Sequence, residues 1–439
     1  MPKRQIPGKI PDDLFVSKMA FLESFLGTEW LNSQQIDNSV FTVLWNRQDF
    51  LASIELFTIS HSIEIFQAEN EEWLNEFKRT IKEGRNIDII SESYEINSAA
   101  MLYNDNQKVE LCSFYNPGYD FVLKIAEKNI RVSCKKLQAS DKEKEFNNNA
   151  KEIYQLILEY MQKNRLNFLE VILSFLKTDE FIEHDNLKQQ IIACLNDYKN
   201  GKRVYGYQIG GWFLRIFEMP LDLKGYRFYP NSISLMFLCM SPYFHNEQTR
   251  FENLFRKAAK NLKKHGKPIN KDNINIIMIG IPASISLVTA KKWLQAKFER
   301  ENSSISAVFL TRTIPVSEKD LSSTHPQNEV SFVINPFAII KWQEFIPKDY
   351  VLKADLQFGT ITEEPSKIVL IADEKQLELE EVYMFQKGQV FHEHISGEMT
   401  YEFNRKPGIQ QSVVFRPIPG QEQMILSSIS PPEDSFIII

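Results

Sequence analysis

Apolar residues in the first part of the chain recur at helical spacing. Residues 16–26 predict one short helix inside an irregular lead-in that runs to about residue 40. Between Arg47 and Ala68, the positions Phe50, Ile54, Phe57, Ile63 and Phe66 fall on a helical stripe. A second helix is expected over residues 71–84, with Glu71 and Glu72 in its first turn, Lys82 in its last and Gly84 as the stop. The period then changes. Residues 87–96 alternate imperfectly and read as a strand, and 108–115 and 120–125 read as two more, separated by Asn116-Pro117-Gly118. Another strand covers 129–137. Ser140 or Asp141 then caps a helix to about Lys163, a strand or buried segment covers 167–176, and a helix over 186–198 is closed by Asn200-Gly201.

From about Val204 the pattern becomes one of buried strands and helices in alternation. Strands are expected at 211–220, 233–240, 274–281, 304–311 and 330–335, with helices at 250–264 and 286–300, an order that suits a parallel, helix-covered sheet. Beyond about Asp349 the helical period disappears. Short segments at 351–358, 367–371, 378–385, 399–403, 412–416 and 424–428 predict a small β-rich module. The expected organisation is therefore a lead-in over 1–40, an α/β domain over 41–200, a second α/β region over 201–346 and a β-rich C-terminal module over 347–439. No internal repeat or low-complexity tract is visible.

Composition narrows the function classes. A chain of 439 residues is too long for one ordinary core. The net charge of −6 argues against nucleic-acid binding through bulk charge, although it leaves room for a local basic groove. Cys112, Cys134, Cys194 and Cys239 show neither CxxC spacing nor a zinc-ligand pattern with histidines, which fits free thiols in a reducing compartment. Residues 1–15 lack the apolar stretch of a signal peptide, and no run of about 18 apolar residues exists to span a bilayer. A cytoplasmic location without membrane association is the expectation.

The stretch that carries chemistry reads Asn116-Pro117-Gly118-Tyr119-Asp120-Phe121, then Val132-Ser133-Cys134-Lys135-Lys136-Leu137. A carboxylate opens one strand just after a turn, and a lysine stands on the next strand, on the same face as Ser133. This resembles the PD-(D/E)XK nuclease superfamily, in which an Asp-Phe-Val hairpin leads into Val-Glu-x-Lys, with a helix before it and an amphipathic helix after it. The resemblance covers residues 71–176. It implies a restriction-endonuclease-like mixed sheet flanked by helices and Mg²⁺-assisted hydrolysis of phosphodiester bonds, in restriction or defence against foreign DNA. Asp120 would ligate the metal and Lys135 would orient the attacking water or stabilise developing charge.

Ser133 stands where the family carries its second acid, and serine is a poor Mg²⁺ ligand. In one reading the acid has moved to the following helix, where Glu143, Glu145 and Glu152 are available; Glu145 and Glu152, inside the helix rather than at its cap, are the candidates for catalysis and metal ligation. In the other reading the site is dead and the fold serves as an interaction or scaffold subunit of a larger assembly. Each residue also has a plain structural role. Asp after Pro-Gly-Tyr is common turn chemistry, and Glu143 and Glu145 suit an exposed helix start. Glu76 could be an auxiliary acid but reads more simply as part of a solvated face.

Other features carry less. The helix over 250–264 bears Arg250, Arg256, Lys257, Lys260, Lys263 and Lys264, and its face with Arg256, Lys260 and Lys264 could follow a phosphate backbone, with DNA the favoured partner; Arg79, Lys82 and Arg85 add charge nearby. The segment Ile279-Gly280-Ile281-Pro282-Ala283-Ser284 lies where ligands bind in open α/β sheets but has no nucleotide fingerprint, and Ser284 and Ser286 have no GxSxG elbow. His392 and His394 alternate on one strand without a third ligand. His61 reads as a core or boundary histidine, and Trp212, Phe213 and Phe217 as core. The tail, ending Phe436-Ile437-Ile438-Ile439, could dock a protein partner; a carbohydrate- or ligand-binding role for the tail is a third reading.

Overall fold

Helices form where an apolar face must be buried, and six of them precede the first strand: α1 (Asp12–Leu26), α2 (Thr28–Leu31), α3 (Val40–Asn46), α4 (Phe50–Phe66), α5 (Glu71–Glu83) and α6 (Asn86–Leu102). The computed structural model describes residues 4, 10–33, 39–116, 118–125, 127–175, 184–204, 206–218, 233–241, 246–282, 285, 287–300, 304–317, 324–338 and 345, and the short strands named below from residue 360 onward. Two compact units emerge. The first joins Met1–Gln138, His245–Glu381 and Glu398–Ile439; the second joins Ala139–Phe244 and Val382–Gly397.

In the first unit α4 is apolar nearly all round and is correspondingly enclosed. Its start is held by Asp49, whose carboxylate accepts the Leu51 and Ala52 backbone N–H groups at 3.1 Å each and a two-pronged contact from Arg47 at 2.8 Å. Those partners hold the Asp49 carboxyl below its ordinary range although burial pushes the other way. His61 lies beside Lys18 on this helix, and burial, then the Lys18 charge, lowers its imidazole to about 4, so it is a neutral boundary histidine as expected. Helix α6 replaces the strand expected over 87–96. Ile89, Ser93, Ile96 and Ala100 are buried at helical spacing, but nearly every residue from Ser93 to Leu102 is enclosed as well. With little polar face left, the segment imitates an irregular strand in sequence.

The hairpin follows as predicted: β1 (Lys108–Leu111), β2 (Phe121–Ile125) and β3 (Lys128–Lys136) form an antiparallel meander, with Phe121 opposite Val132. Ile130, Val132 and Cys134 point into a core shared with α1, α3, α4, α5 and α6.

The second unit begins with α7 (Asp141–Asn164), capped by the Ser140 hydroxyl accepting the Glu143 N–H at 3.1 Å. It continues through β4 (Phe168–Phe175), α8 (His184–Lys199), β5 (Tyr207–Ile209), β6 (Trp212–Glu218) and β7 (Ser234–Ser241). Helices α7 and α8 bury Ile153, Ile157, Ile191 and Leu195 against Val171, Leu173, Leu214 and Phe237.

The chain then returns to the first unit with α9 (Asn246–His265), β8 (Asn273–Gly280), α10 (Leu287–Arg300), β9 (Ala307–Ser317) and β10 (Thr324–Ile334). Strand β8 lies parallel to β3, with Ser133 beside Ile277 and Lys135 beside Ile279; β9 is parallel to β8, and β10 antiparallel to β9. Helices α9 and α10 pack Phe251, Phe255, Leu262, Leu294 and Phe298 against Ile277, Ile279, Val308 and Leu310 on the sheet. The sheet of this unit is thus covered on both faces.

The tail strands do not form one module. β11 (Thr360–Ile361) joins the edge of the first unit's sheet, giving the order β1-β2-β3-β8-β9-β10-β11. The strands β12 (Ile368–Ala372), β13 (Lys375–Leu379), β16 (Thr400–Phe403) and β17 (Ser412–Phe415) make a separate sheet in the order β13-β12-β16-β17. The hairpin β14 (Tyr383–Lys387) and β15 (Val390–His394) extends the second unit's sheet through β7, in the order β14-β15-β7-β4-β6-β5. The expected strands at 351–358 and 424–428 and the Phe436–Ile439 end lie outside the described residues. The divisions expected at 200 and 346 also differ from the observed ones at Gln138/Ala139 and Phe244/His245. The cause is the β3–β8 pairing, which joins residues as far apart as Asn129 and Asn273.

Replacing Asp49 by alanine removes the α4 cap and is expected to destabilise the protein by about 1–2 kcal/mol, read as a lower urea midpoint with an unchanged slope.

Candidate active site

Asp120 sits one residue ahead of β2, where its N–H donates to Val132 O at 2.8 Å and so extends the β2–β3 ladder. That placement brings its carboxylate to β3, where it accepts the Cys134 backbone N–H and a hydrogen bond from the Ser133 side chain. Lys135 Nζ lies 3.6 Å from Asp120 Oδ2, and both side chains are largely enclosed, at 23% and 17% exposure. The two strands therefore bring together the two residues that the motif singles out.

A third group enters from α6. Glu95 is electrostatically coupled to both Asp120 and Lys135. Burial first, and then the Asp120 charge, push the Glu95 carboxyl well above its ordinary range, against the pull of Lys135. Asp120 is raised as well, because burial outweighs Lys135 and the Cys134 N–H. Burial pulls Lys135 down, but Asp120 and Glu95 together hold its ammonium above the usual value. One turn earlier on α6, burial raises Glu92 to about 7, with the Thr80 hydroxyl opposing and Asp88 and Glu76 adding to the rise. The Glu92 Oε2 atom has no hydrogen-bond partner among the described residues. Two acids are thus held reluctant to ionise around one lysine, a configuration that favours a bound cation or a shared proton.

The remaining expected residues belong to other elements. Glu145 and Glu152 are carried by α7 in the second unit. Glu145 is exposed. Glu152 is held by Lys188 and by His184 at 3.1 Å, and Lys188, then His184, lower its carboxyl. The helix that links β3 to its parallel neighbour β8 is α9, because α7 opens an inserted unit. The acids of α9 are engaged locally. Glu247 contacts Arg250, which donates to Gln138 O, and Glu252 lies 3.7 Å from Lys297. Glu76 is bound by Arg79 and by the Tyr115 hydroxyl. Reading residues 87–96 as a strand hid Glu95; the spacing of Asp88, Glu92 and Glu95, one helical turn apart, was the available signal.

Along α9, Arg256, Lys257, Lys260, Lys263 and Lys264 are exposed opposite the buried Phe251, Phe255, Ala258 and Leu262. Arg85 is occupied by Asp88, and Lys82 lies over the Trp30 ring at 5.9 Å. His392 and His394 stand on β15, paired with Phe385 and Tyr383. Trp212 is buried against Phe146, whereas Phe217 is 37% exposed and is not core. Ala283, Ser284 and Ser286 lie outside the described residues. Among the described residues no group of three or more His, Cys, Asp or Glu side chains forms a metal cage, and no helix is long and apolar enough to cross a membrane. The four cysteines are free. Comparison of the chain with models of known protein families, with curated proteins and with solved structures finds no match.

Glu92 gives a pH test of this electrostatic picture. Its folded value near 7 lies above the ordinary 4.5, so the folded state holds the extra proton. Its contribution to stability is complete below pH 4.5 and is lost as pH rises through 7. A Glu92→Gln variant is expected to gain stability over the wild type at pH 8 and to show little difference at pH 5, measured by urea denaturation at both. Removing Lys135 as Lys135→Met leaves the enclosed Asp120 carboxylate without its ammonium partner, and a loss of about 3 kcal/mol is expected at neutral pH.

Proposed function

We propose that the first unit is a nuclease-like domain of the PD-(D/E)XK type that hydrolyses phosphodiester bonds, with Glu95 supplying the acid missing at Ser133. The observation that carries this reading is the coupling of Glu95, Asp120 and Lys135, contributed by a helix, the head of one strand and the body of the next. The surrounding order supports it: a helix, an antiparallel three-strand meander, and a helix leading into a strand parallel to the third. In this reading residues 139–244 are an insertion between the third strand and its crossover helix, and Glu145 and Glu152 have no part in the chemistry.

The residues fit Mg²⁺, which takes one or two protein carboxylates and completes its shell with water and substrate phosphate oxygens. Asp120 and Glu95 would hold it. A bound Mg²⁺ supplies activation of water and neutralisation of charge on the phosphate. Lys135 donates hydrogen bonds toward the reacting phosphate or its attacking water, and the Cys134 N–H keeps the Asp120 carboxylate oriented. The exposed basic row of α9, with Arg256, Lys260 and Lys264, suits a nucleic-acid backbone, with DNA as the favoured substrate and restriction or defence as the setting. The free cysteines suit a cytoplasmic location. The rival, an inactive scaffold of the same fold working with protein partners, draws on Ser133 and on the absence of a three-ligand cluster among the described residues.

Cleavage of a mixed panel of DNA and RNA with Mg²⁺ or Mn²⁺ separates the two. Metal-dependent cutting should fall at least ~100-fold in Asp120→Ala, Glu95→Ala and Lys135→Ala, while Glu145→Ala and Glu152→Ala cut like the wild type. Activity retained in the first three variants, or absent in the wild type, rejects catalysis at this site.

A further inference from the structure

Side chains alternate along β3, so Lys136 faces away from Lys135 and toward α6. There it closes one wall of a cleft of about 30 Å³ that is also lined by Tyr94 and Asn97 of α6, Thr311 and Thr313 of β9 and Asn328 of β10. That volume accommodates about two water-sized groups, room for two oxygens of a tetrahedral oxyanion with the rest of it at the open mouth. Gly280 at the end of β8 is required for the wall to close, since a Cβ there would lie 2.7 Å from both the Tyr94 ring and Lys136 Cδ. The cleft belongs entirely to the first unit.

Asn97 is 6% exposed; its Oδ1 lies 2.8 Å from the Ser62 hydroxyl, and its Nδ2 is buried with no hydrogen-bond partner among the described residues. Asn328 Oδ1 accepts from the Thr313 hydroxyl at 2.6 Å, which fixes the orientation of its amide at the cleft wall. The Tyr94 and Thr311 hydroxyls are 2.8 Å apart and hydrogen-bonded, and the Ser98 side chain also bonds the Tyr94 hydroxyl. Lys136 Nζ lies 5.2 Å from the centre of the Tyr94 ring. Of the charged groups around it, Arg312 is neutralised by Glu329 through a buried pair, and Glu55 offsets Lys136 in part. Burial still outweighs Glu55 and lowers the Lys136 ammonium to about 8. The cleft is thus lined by an unused buried N–H and an under-compensated lysine, and leaving such groups unmet is costly.

We propose that this cleft is a binding site for a small oxyanion, a phosphate group, held by Lys136, Asn97 and Asn328 between α6 and the sheet. Its walls share α6 and β3 with that site, through the neighbours Tyr94–Glu95 and Lys135–Lys136, so occupancy would bear directly on the elements that hold the catalytic groups. The proposal stands on the cleft itself and is independent of any nuclease activity.

The test is calorimetric titration of the full chain with inorganic phosphate in the presence of a metal chelator. Saturable binding is expected, weakened at least ~10-fold in Lys136→Met and in the isosteric Asn97→Leu, a loss of about 1.4 kcal/mol or more, and unchanged in Asp120→Ala. Circular dichroism identifies any variant that fails to fold; Tyr94→Phe, which keeps the ring, then serves as the second probe and is expected to weaken binding as well. A short oligonucleotide that displaces the phosphate identifies a nucleic-acid backbone as the source of the anion. Failure to displace it identifies a free phosphate or phosphorylated small molecule. No saturable binding, equal binding in folded Lys136→Met and Asn97→Leu, or loss of binding confined to Asp120→Ala overturns the assignment.

Discussion

Strand β3 is bonded on both edges, antiparallel to β2 and parallel to β8. The rest of the first unit depends on that double pairing. The β2 side sets Asp120 against Ser133 and the Cys134 N–H, while the β8 side anchors the strand in a sheet covered on both faces. Because a strand's side chains alternate, one rigid element can present Lys135 on one face and Lys136 on the other with little freedom in either. The two sites inferred from the structure are consequences of this single strand and of α6, which supplies Glu95 to one and Tyr94 and Asn97 to the other.

The electrostatics of the first site run against stability. Two enclosed carboxyls raised by burial, with a third near 7 one turn away, are an expensive use of a folded interior, and one lysine compensates only part of the cost. The Arg312–Glu329 pair in the same unit shows how the fold neutralises charge where no ligand is needed: two partners, buried together, joined by two hydrogen bonds. The surroundings of Glu95, with two raised carboxyls and one lysine, depart from that arrangement.

The second unit interrupts this framework between β3 and α9, leaving at Ala139 and returning at Phe244, and later borrows the β14–β15 hairpin from the tail. Both junctions therefore flank elements of the candidate site, Lys135 upstream and the basic helix α9 downstream. The inserted sheet and its helices have a hydrophobic core of their own.

The sequence by itself determined what local physics controls. The apolar stripe from Phe50 to Phe66, the Asn116-Pro117-Gly118 turn and the β2–β3 hairpin, the Ser140 cap and the pairing of Asp120 with Lys135 were all legible, because helix period, turn residues and strand alternation act within a few residues. The tertiary structure alone decided the rest. Helix α6 is buried on almost every side from Ser93 to Leu102, so its only polar row, Asp88, Glu92 and Glu95, is too narrow to outweigh the apparent alternation, and Glu95 was hidden with it. The parallel partner of β3 lies more than a hundred residues away, so the linear reading took the nearest following helix, α7, where the structure has α9 leading into β8. Long-range pairing leaves no periodic trace in either strand, which is why the division of the chain emerged only when the strands were seen side by side.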